Sequence, residues 1–346
     1  MADTEDLPLT YKMLMVHKLA QKFQEAVKIE TVTLTSPGPD EIIVKNRYVG
    51  INAIDIFITP IKNIVSKKYP YPVGLESVGE VVALGTDVDC LELGQPVAYI
   101  GMGAYSEFMT VKGREVIPIP ELKPEYVGLL VSGLTASIGL DKVGDLKAGE
   151  KVIITAAAGG LGQICVQWAK NYGCHVIAIC SSEEEAAYLM ALGCDRVIND
   201  KEEKVGDVLK EEYADGVDVV WETVGGEVFL TLLNNLAIKG RMIIIECIAS
   251  NMMDEVKNSP NINELLEKLN SNSQCVRGFS LFHYSEYIPA YLGQLIPMLK
   301  CGKMKVHVDN GQQSIGVLFS GVEGIIKGAE HLHNDVSIGK VVVEML

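Results

Sequence analysis

Short apolar runs beginning near Val152, Val176, Val197, Val219 and Met242 recur about 21 to 24 residues apart, with helical patterning in most of the intervals. That cadence constrains the fold more than any other feature. Continuous apolar runs of strand length are buried on both faces, and amphipathic helices between them do the covering. Residues 129–284 therefore read as an α/β domain, a doubly wound parallel sheet. Gly173, Gly193 and Gly240 each stand just before the next run, where helix C-caps are expected. The flanks follow another rule. "KIETVTLT", "EIIVKNRYVGI", "VGEVVALG" and "PVAYI" are rich in Val, Ile, Thr and Tyr and are separated by turns such as Pro37-Gly38-Pro39-Asp40. They predict a small, mostly antiparallel barrel or sandwich. The tail, ending in the strand-like "GKVVVEML", is expected to fold back onto it, so that 1–128 and 285–346 form one domain. The polar stretch "SNMMDEVKNSPNINELLEKLNSNSQ" reads as a loop.

The first apolar run opens into "ITAAAGGLGQICVQWAK". Val152-Ile153-Ile154 is a strand and Gly162 begins a helix. Between them, Ala157-x-Gly159-x-x-Gly162 is the dinucleotide fingerprint with Ala in its first slot. Gly159 lets backbone approach a pyrophosphate, Gly162 lets helix and strand pack closely, and the helix N-terminus offers N–H donors. A tight strand–helix turn without a ligand is the alternative. A short-chain-reductase loop starting at Thr155 is excluded, because the unit lies mid-chain and no Tyr-x-x-x-Lys occurs. NAD enzymes usually carry an acid about 20 residues beyond the glycines. Here that place holds Ser181, which leaves room for a 2′-phosphate and favours NADP. Glu183, Glu184 and Glu185 oppose a phosphate, although acids also suit the first turn of a helix. Lys201 and Arg196 are the cationic candidates.

A net charge of −15 disfavours nucleic acid and anionic membrane surfaces as partners. No apolar run approaches the length of a membrane span, and the acidic start "MADTEDLPLTYK" lacks a secretory pattern. The eight cysteines include no Cys-x-x-Cys, and most lie inside apolar segments such as "VIAIC" and "IIIECI". They read as buried thiols of a reducing compartment, and the expected location is cytoplasmic.

With "NAIDIF", "GLESVGEVVALGTDV", "LLVSGLTA", "AAAGGLGQ" and "DVVWETVGG" in hand, the chain resembles the medium-chain dehydrogenase/reductase superfamily from about residue 12 to 346. The resemblance is to its zinc-independent branch, which includes prostaglandin reductases and quinone oxidoreductases. It implies a GroES-like catalytic domain, a Rossmann cofactor domain, NADP(H) as cofactor and a homodimer. The positions of the family's catalytic zinc ligands hold Asn52, Leu75 and Val131, so no zinc is expected. His331 and His333 read as a pair on a helix surface rather than a metal site. The activity implied is NADPH-dependent reduction of the carbon–carbon double bond of α,β-unsaturated ketones, of the 15-oxoprostaglandin 13-reductase type, on a small conjugated carbonyl. An NADPH quinone oxidoreductase and a catalytically weak nucleotide-binding regulatory protein are the alternatives.

The resemblance also carries residue roles. Ala157, Gly159, Gly160, Leu161 and Gly162 would line the pyrophosphate. Ser181 and Ser182 would meet the adenosine ribose and its phosphate, with Lys201 the cation expected beside them. Thr223 and Ile248 would border the ribose and nicotinamide, and Ser280, Leu281 and Phe282 the carboxamide. Ser337 would lie near the cofactor, and Asn52 and Thr135 would touch the nicotinamide ribose. The catalytic candidates are Asn52, Asn251 and Tyr284, with Tyr105 and a cofactor hydroxyl as further donors to a developing enolate. Departures from the pattern are Glu185 for a phosphate-binding Lys, Asp200 and Asn251 each for a Tyr, Phe57 and Thr59 in a quinone-reductase motif, and Glu246 for a Gly.

Overall fold

The computed structural model describes residues 7–57, 68–246, 261–334 and 336–346. In chain order the first part supplies β1 (Thr10–Val16), β2 (Val27–Thr33), β3 (Glu41–Gly50), β4 (Tyr71–Pro72), β5 (Glu76–Leu84), β6 (Pro96–Ile100), β7 (Phe108–Lys112) and β8 (Ile117–Pro118). The middle supplies β9 (Lys151–Ile154), β10 (His175–Cys180), β11 (Arg196–Asn199), β12 (Val217–Glu222), β13 (Leu236–Ile244) and β14 (Cys275–Gly278). The tail adds β15 (Val308–Asp309) and β16 (Lys340–Glu344).

Two compact units result, Met1–Val131 with His307–Leu346, and Ser132–Val306. The break at 131/132 lies close to the expected 128/129. The second lies at 306/307 instead of 284/285. Residues 285–306 are held by side chains of the Rossmann-type unit. The Tyr291 hydroxyl donates to Asp141 at 2.7 Å and its ring lies 6.1 Å from that of Trp168. Gln167 grips Lys305 from both sides, donating to its carbonyl and accepting from its N–H, each at 2.8 Å. Periodicity identifies the helix Ile288–Lys300 but does not say onto which neighbour its apolar face closes.

In the β-rich unit, β3 is the spine, paired antiparallel with β5, β7 and β16. Its sheet runs β15-β16-β3-β5-β6-β8, and a second runs β2-β1-β4. The register Val342↔Gly50 inserts the C-terminal strand beside the end of β3 and carries Lys340 up to Ile51 and Asn52. Leu14, Val16, Val49, Ile51, Tyr105, Phe319, Ile325, Val341 and Val343 form one buried cluster there. Burying each such aliphatic side chain stabilises by about 1.5–3 kcal/mol. The helix Gly321–His333 closes over this cluster with Val322, Ile325 and Ala329. His331 corrects the surface-pair reading, since it is buried with Nε2 2.7 Å from Asp309 Oδ2, while His333 is exposed. Residues two apart on a helix point to different sides.

In the other unit the sheet order is β11-β10-β9-β12-β13-β14, with every pairing parallel. Val152, Ile153 and Ile154 of the central strand are fully buried, as a strand covered on both faces requires. Gly173 and Gly193 end their helices at φ +76° and +94°. Gly240 does not cap a helix. It lies inside β13, which begins at Leu236 rather than near Met242. Part of the expected loop is a helix, Ile262–Ser271, because Asn261 caps it by accepting from Asn263 N–H at 3.0 Å. The helical stretch Pro124–Val143 has the length and apolarity of a membrane span, yet 83% of its most apolar window is buried inside the protein. It is core. The seven cysteines among the described residues are free thiols, and Cys90 and Cys301 are exposed rather than buried.

Candidate cofactor and catalytic site

Strand order reverses between β9 and β12, and ligands of open α/β sheets bind beyond the carboxyl ends at such a point. Thr155 pins those ends together. Its N–H donates to the Trp221 carbonyl at 3.1 Å, and its Oγ1 accepts from Thr223 N–H at 2.9 Å. The chain then turns through Ala156, held at φ +46°. A Cβ on Gly162 would stand 2.4 Å from the Ala156 carbonyl oxygen and 2.5 Å from Ala157 Cα, so only glycine fits. Gly159 differs. A Cβ there meets only the Ala156 oxygen, at 3.4 Å, so the protein itself does not require glycine at that position. The helix Gly162–Asn171 starts here, and the N–H groups of Gly160, Leu161 and Gly162 have no acceptor among the described residues. Open backbone, unpaired donors and the positive end of a helix dipole fit a dinucleotide pyrophosphate.

Ser181 follows the end of β10. Its N–H and Oγ both donate to one oxygen of Glu185, at 2.7 and 3.1 Å, and Ser182 Oγ accepts from Glu185 N–H at 3.2 Å. Ser182 thus caps the helix Glu183–Ala191, while Glu185 reaches back to Ser181. The two expected cations are also turned to acids. Arg196 is bound by Glu203 at 2.7 Å and Glu212 at 2.9 Å, while the largely exposed Lys201 lies 3.9 Å from Asp200.

The β-rich unit holds a buried polar cluster just past β3. Lys340 Nζ lies 2.6 Å from Glu76 Oε1, donates to Asn52 Oδ1 at 2.6 Å and reaches the Ile51 carbonyl at 3.1 Å. Glu76 also accepts from Asn52 Nδ2 at 2.8 Å and, on its other oxygen, from Val131 N–H at 2.7 Å. Asp55 Oδ2 accepts from Asn52 N–H at 3.0 Å and from the Tyr105 hydroxyl at 2.8 Å. Burial pushes the Asp55 carboxyl up to about 6, and burial beside Asp55 drives the Tyr105 hydroxyl well above its ordinary value. Gly50 is required for the approach, because a Cβ would stand 2.3 Å from Glu76 Oε1.

This cluster takes up two of the expected residues. Tyr105 is fully buried with its hydroxyl given to Asp55, so it is not a donor to substrate. Asn52 turns its amide into the cluster, donating to Glu76 at 2.8 Å and lying 3.4 Å from Asp55, so it holds these neighbours in place. Nor does the donor set suit zinc. Leu75 and Val131 have no ligating atoms, and the Asn52 oxygen already faces an ammonium.

Of the remaining predicted residues, Thr223 is buried beyond β12, and Thr135 is buried in the helix Val131–Ile138. Leu281 is buried, whereas Ser280 and Phe282 are exposed on the turn after β14. The Tyr284 ring lies 4.9 Å from Phe279 and 6.3 Å from Tyr287. Ser337 is buried just before Gly339, whose φ is +81°. Asn251, Ile248 and Thr59 lie outside the described residues. The ion pair of Glu76 and Lys340 was missed in the sequence. A charged residue opening each of the apolar runs "ESVGEVVAL" and "KVVVE" was the available signal, but Lys340 and Asn52 stand 288 positions apart.

A zinc-binding dehydrogenase family model matches residues 160–293, and an alcohol dehydrogenase GroES-like domain model matches 38–121. Prostaglandin reductase-3 of Bos taurus is 41% identical over 341 residues, covering 98% of this chain and 90% of that protein. Its Mus musculus counterpart is 40% identical with the same coverage. The crystal structure of Escherichia coli quinone oxidoreductase complexed with NADPH superposes with a TM-score of 0.83 at 25% identity, over 96% of this chain and 99% of that one.

Proposed function

The chain belongs to the medium-chain dehydrogenase/reductase superfamily, and from that membership we propose that it is an NADP(H)-dependent, zinc-independent reductase of the carbon–carbon double bond in α,β-unsaturated ketones. The observation that carries the reading is the Ala157–Gly162 turn, with space beside Gly159 and N–H groups that meet no acceptor among the described residues. When bound, the nicotinamide cofactor supplies the hydride, which adds to the β-carbon of the enone while the α-carbon takes a proton from water. The chain's own residues do the holding. The turn seats the pyrophosphate, Thr155 keeps Thr223 at the strand ends, and Leu281 backs the turn after β14. Charge develops on the carbonyl oxygen as hydride arrives, and a hydrogen-bond donor there is worth about 3–4 kcal/mol. Tyr284 and Asn251 are the candidates for that donor. Zinc is not needed, since hydride addition to an electron-poor alkene does not require deprotonating an alcohol.

The E. coli quinone oxidoreductase supports a second reading, a quinone as the flat conjugated acceptor. Purified protein mixed with NADPH and a simple enone or quinone, followed by absorbance of the reduced nicotinamide, separates these readings. Oxidation dependent on the enone supports the first reading and oxidation dependent on the quinone alone the second. Tight cofactor binding without turnover on either would make the chain a nucleotide-binding regulator. On the first reading, Asn251→Ala lowers kcat for the enone by about tenfold or more, and an unchanged kcat removes Asn251 from the chemistry. Two copies are expected to pair, which sedimentation of the purified protein tests.

A further inference from the structure

In a βαβ dinucleotide domain, the residues that close the second strand meet the adenosine ribose and distinguish a 2′-hydroxyl from a 2′-phosphate. In this chain that strand is β10, closed by Cys180 and Ser181. Ser181 by itself would serve a phosphate. Yet its backbone N–H and its hydroxyl, the two donors such a phosphate would use, both point into the carboxylate of Glu185, at 2.7 and 3.1 Å. Glu185 reaches back from the first turn of its helix, and Ser182 locks the return by accepting from its N–H. A half-buried negative charge thus stands where a second one would have to enter.

Among the described residues the surroundings add Asp200, with the exposed Lys201 at 3.9 Å from it. Asp200 is tied to the same strand end, its N–H donating to the Cys180 carbonyl at 2.9 Å. Burial pushes the Cys180 thiol up to about 11, with the negative charges of Glu185, Asp200 and Glu183 adding to it. Arg196 is saturated by Glu203 and Glu212. Like charges at close range oppose binding of a dianionic phosphate, whereas a carboxylate, with lone pairs for several donors, readily accepts from a ribose hydroxyl.

We propose that Glu185 sets the nicotinamide-cofactor selectivity of this chain by removing discrimination against NADH, so that the site takes NADH, with its free 2′-hydroxyl, as well as NADPH. This inference rests on the reading that the Ala157–Gly162 turn seats a nicotinamide dinucleotide.

The test is a titration of the full-length protein with NADH and with NADPH, read as Kd from the fluorescence of the reduced nicotinamide. The wild-type chain is expected to bind NADH within about threefold of NADPH, or more tightly. Glu185→Gln keeps the shape and an acceptor for Ser181 but removes the charge, and it is expected to tighten NADPH relative to NADH by about tenfold or more. Glu185→Lys should shift the ratio further the same way. The wild-type chain also carries a test that needs no variant. Raising salt to about 0.3 M screens carboxylate repulsion, so the affinity of NADPH relative to NADH should hold or rise. A ratio that falls with salt is the mark of a phosphate held by cations and overturns the proposal. So does wild-type protein binding NADPH more than about threefold tighter than NADH, or a ratio unmoved in Glu185→Gln. In each of those cases a dinucleotide still binds and the proposed function stands. Failure to bind either cofactor overturns the function, and the selectivity with it.

Discussion

Replacing Lys340 by Met tests whether the cluster past β3 is a true buried ion pair. The substitution keeps most of the apolar stem and deletes the ammonium. Lys340 and Glu76 have side chains only 2% and 0% exposed, so water cannot take over the lost charge. Glu76 Oε1, Asn52 Oδ1 and the Ile51 carbonyl all lose their contact with Nζ, at 2.6, 2.6 and 3.1 Å. Removing one partner of a buried pair costs about 3–5 kcal/mol, because the other charge is left uncompensated. Tryptophan fluorescence is the wrong probe, since Trp168 and Trp221 both belong to the Rossmann-type unit. Hydrogen exchange of the paired amides of β3 and β16 reports on the right one. Exchange there should quicken by roughly two to three and a half orders of magnitude in Lys340→Met. Adding Glu76→Gln neutralises the orphaned charge and should recover at least half of that loss. Acceleration of less than about tenfold, or a double variant worse than the single, would refute the account of a desolvated pair.

Asp55 has its carboxyl raised from 3.8 to about 6 by burial. The folded state therefore holds a proton that the unfolded chain has released between those values, and stability falls as pH climbs through that window. The displacement corresponds to about 3 kcal/mol, present below pH 3.8 and lost above pH 6. Asp55→Asn should flatten this slope and stabilise the β-rich unit at pH 8, as judged by the same amide exchange, and an unchanged slope would show that Asp55 does not carry it. Gly162→Ala drives a Cβ into the Ala156 and Ala157 backbone and should destabilise by about 2 kcal/mol or more in thermal melts. Gly159→Ala meets ordinary contact, so it should leave the melting temperature alone and weaken dinucleotide binding. The reverse pattern would dismiss the assigned roles of the two glycines. Ser182→Ala deletes the cap on Glu183–Ala191 and should lower stability by about 1 kcal/mol, measured by the same melts.

What the amino-acid order determined by itself was the period of the main elements and the tightest local turn. The period of the apolar runs specified a parallel sheet, and the spacing of Ala157, Gly159 and Gly162 specified a strand–turn–helix with room for a pyrophosphate, because both are steric demands met within a few residues. Tertiary structure decided what those elements meet. Lys340 became the partner of Glu76 and Asn52 only because β16 is inserted beside β3. The helix Ile288–Lys300 joined one unit rather than the other through Tyr291 on Asp141. His331 went inward while His333 stayed out. Even Glu185, four residues from Ser181, was legible as a first-turn acid but not as the occupant of Ser181's donors, since that depends on how the strand end and the helix start face each other. Periodicity and local sterics are written along the chain. Charge pairing and burial arise between segments that only the completed fold brings together.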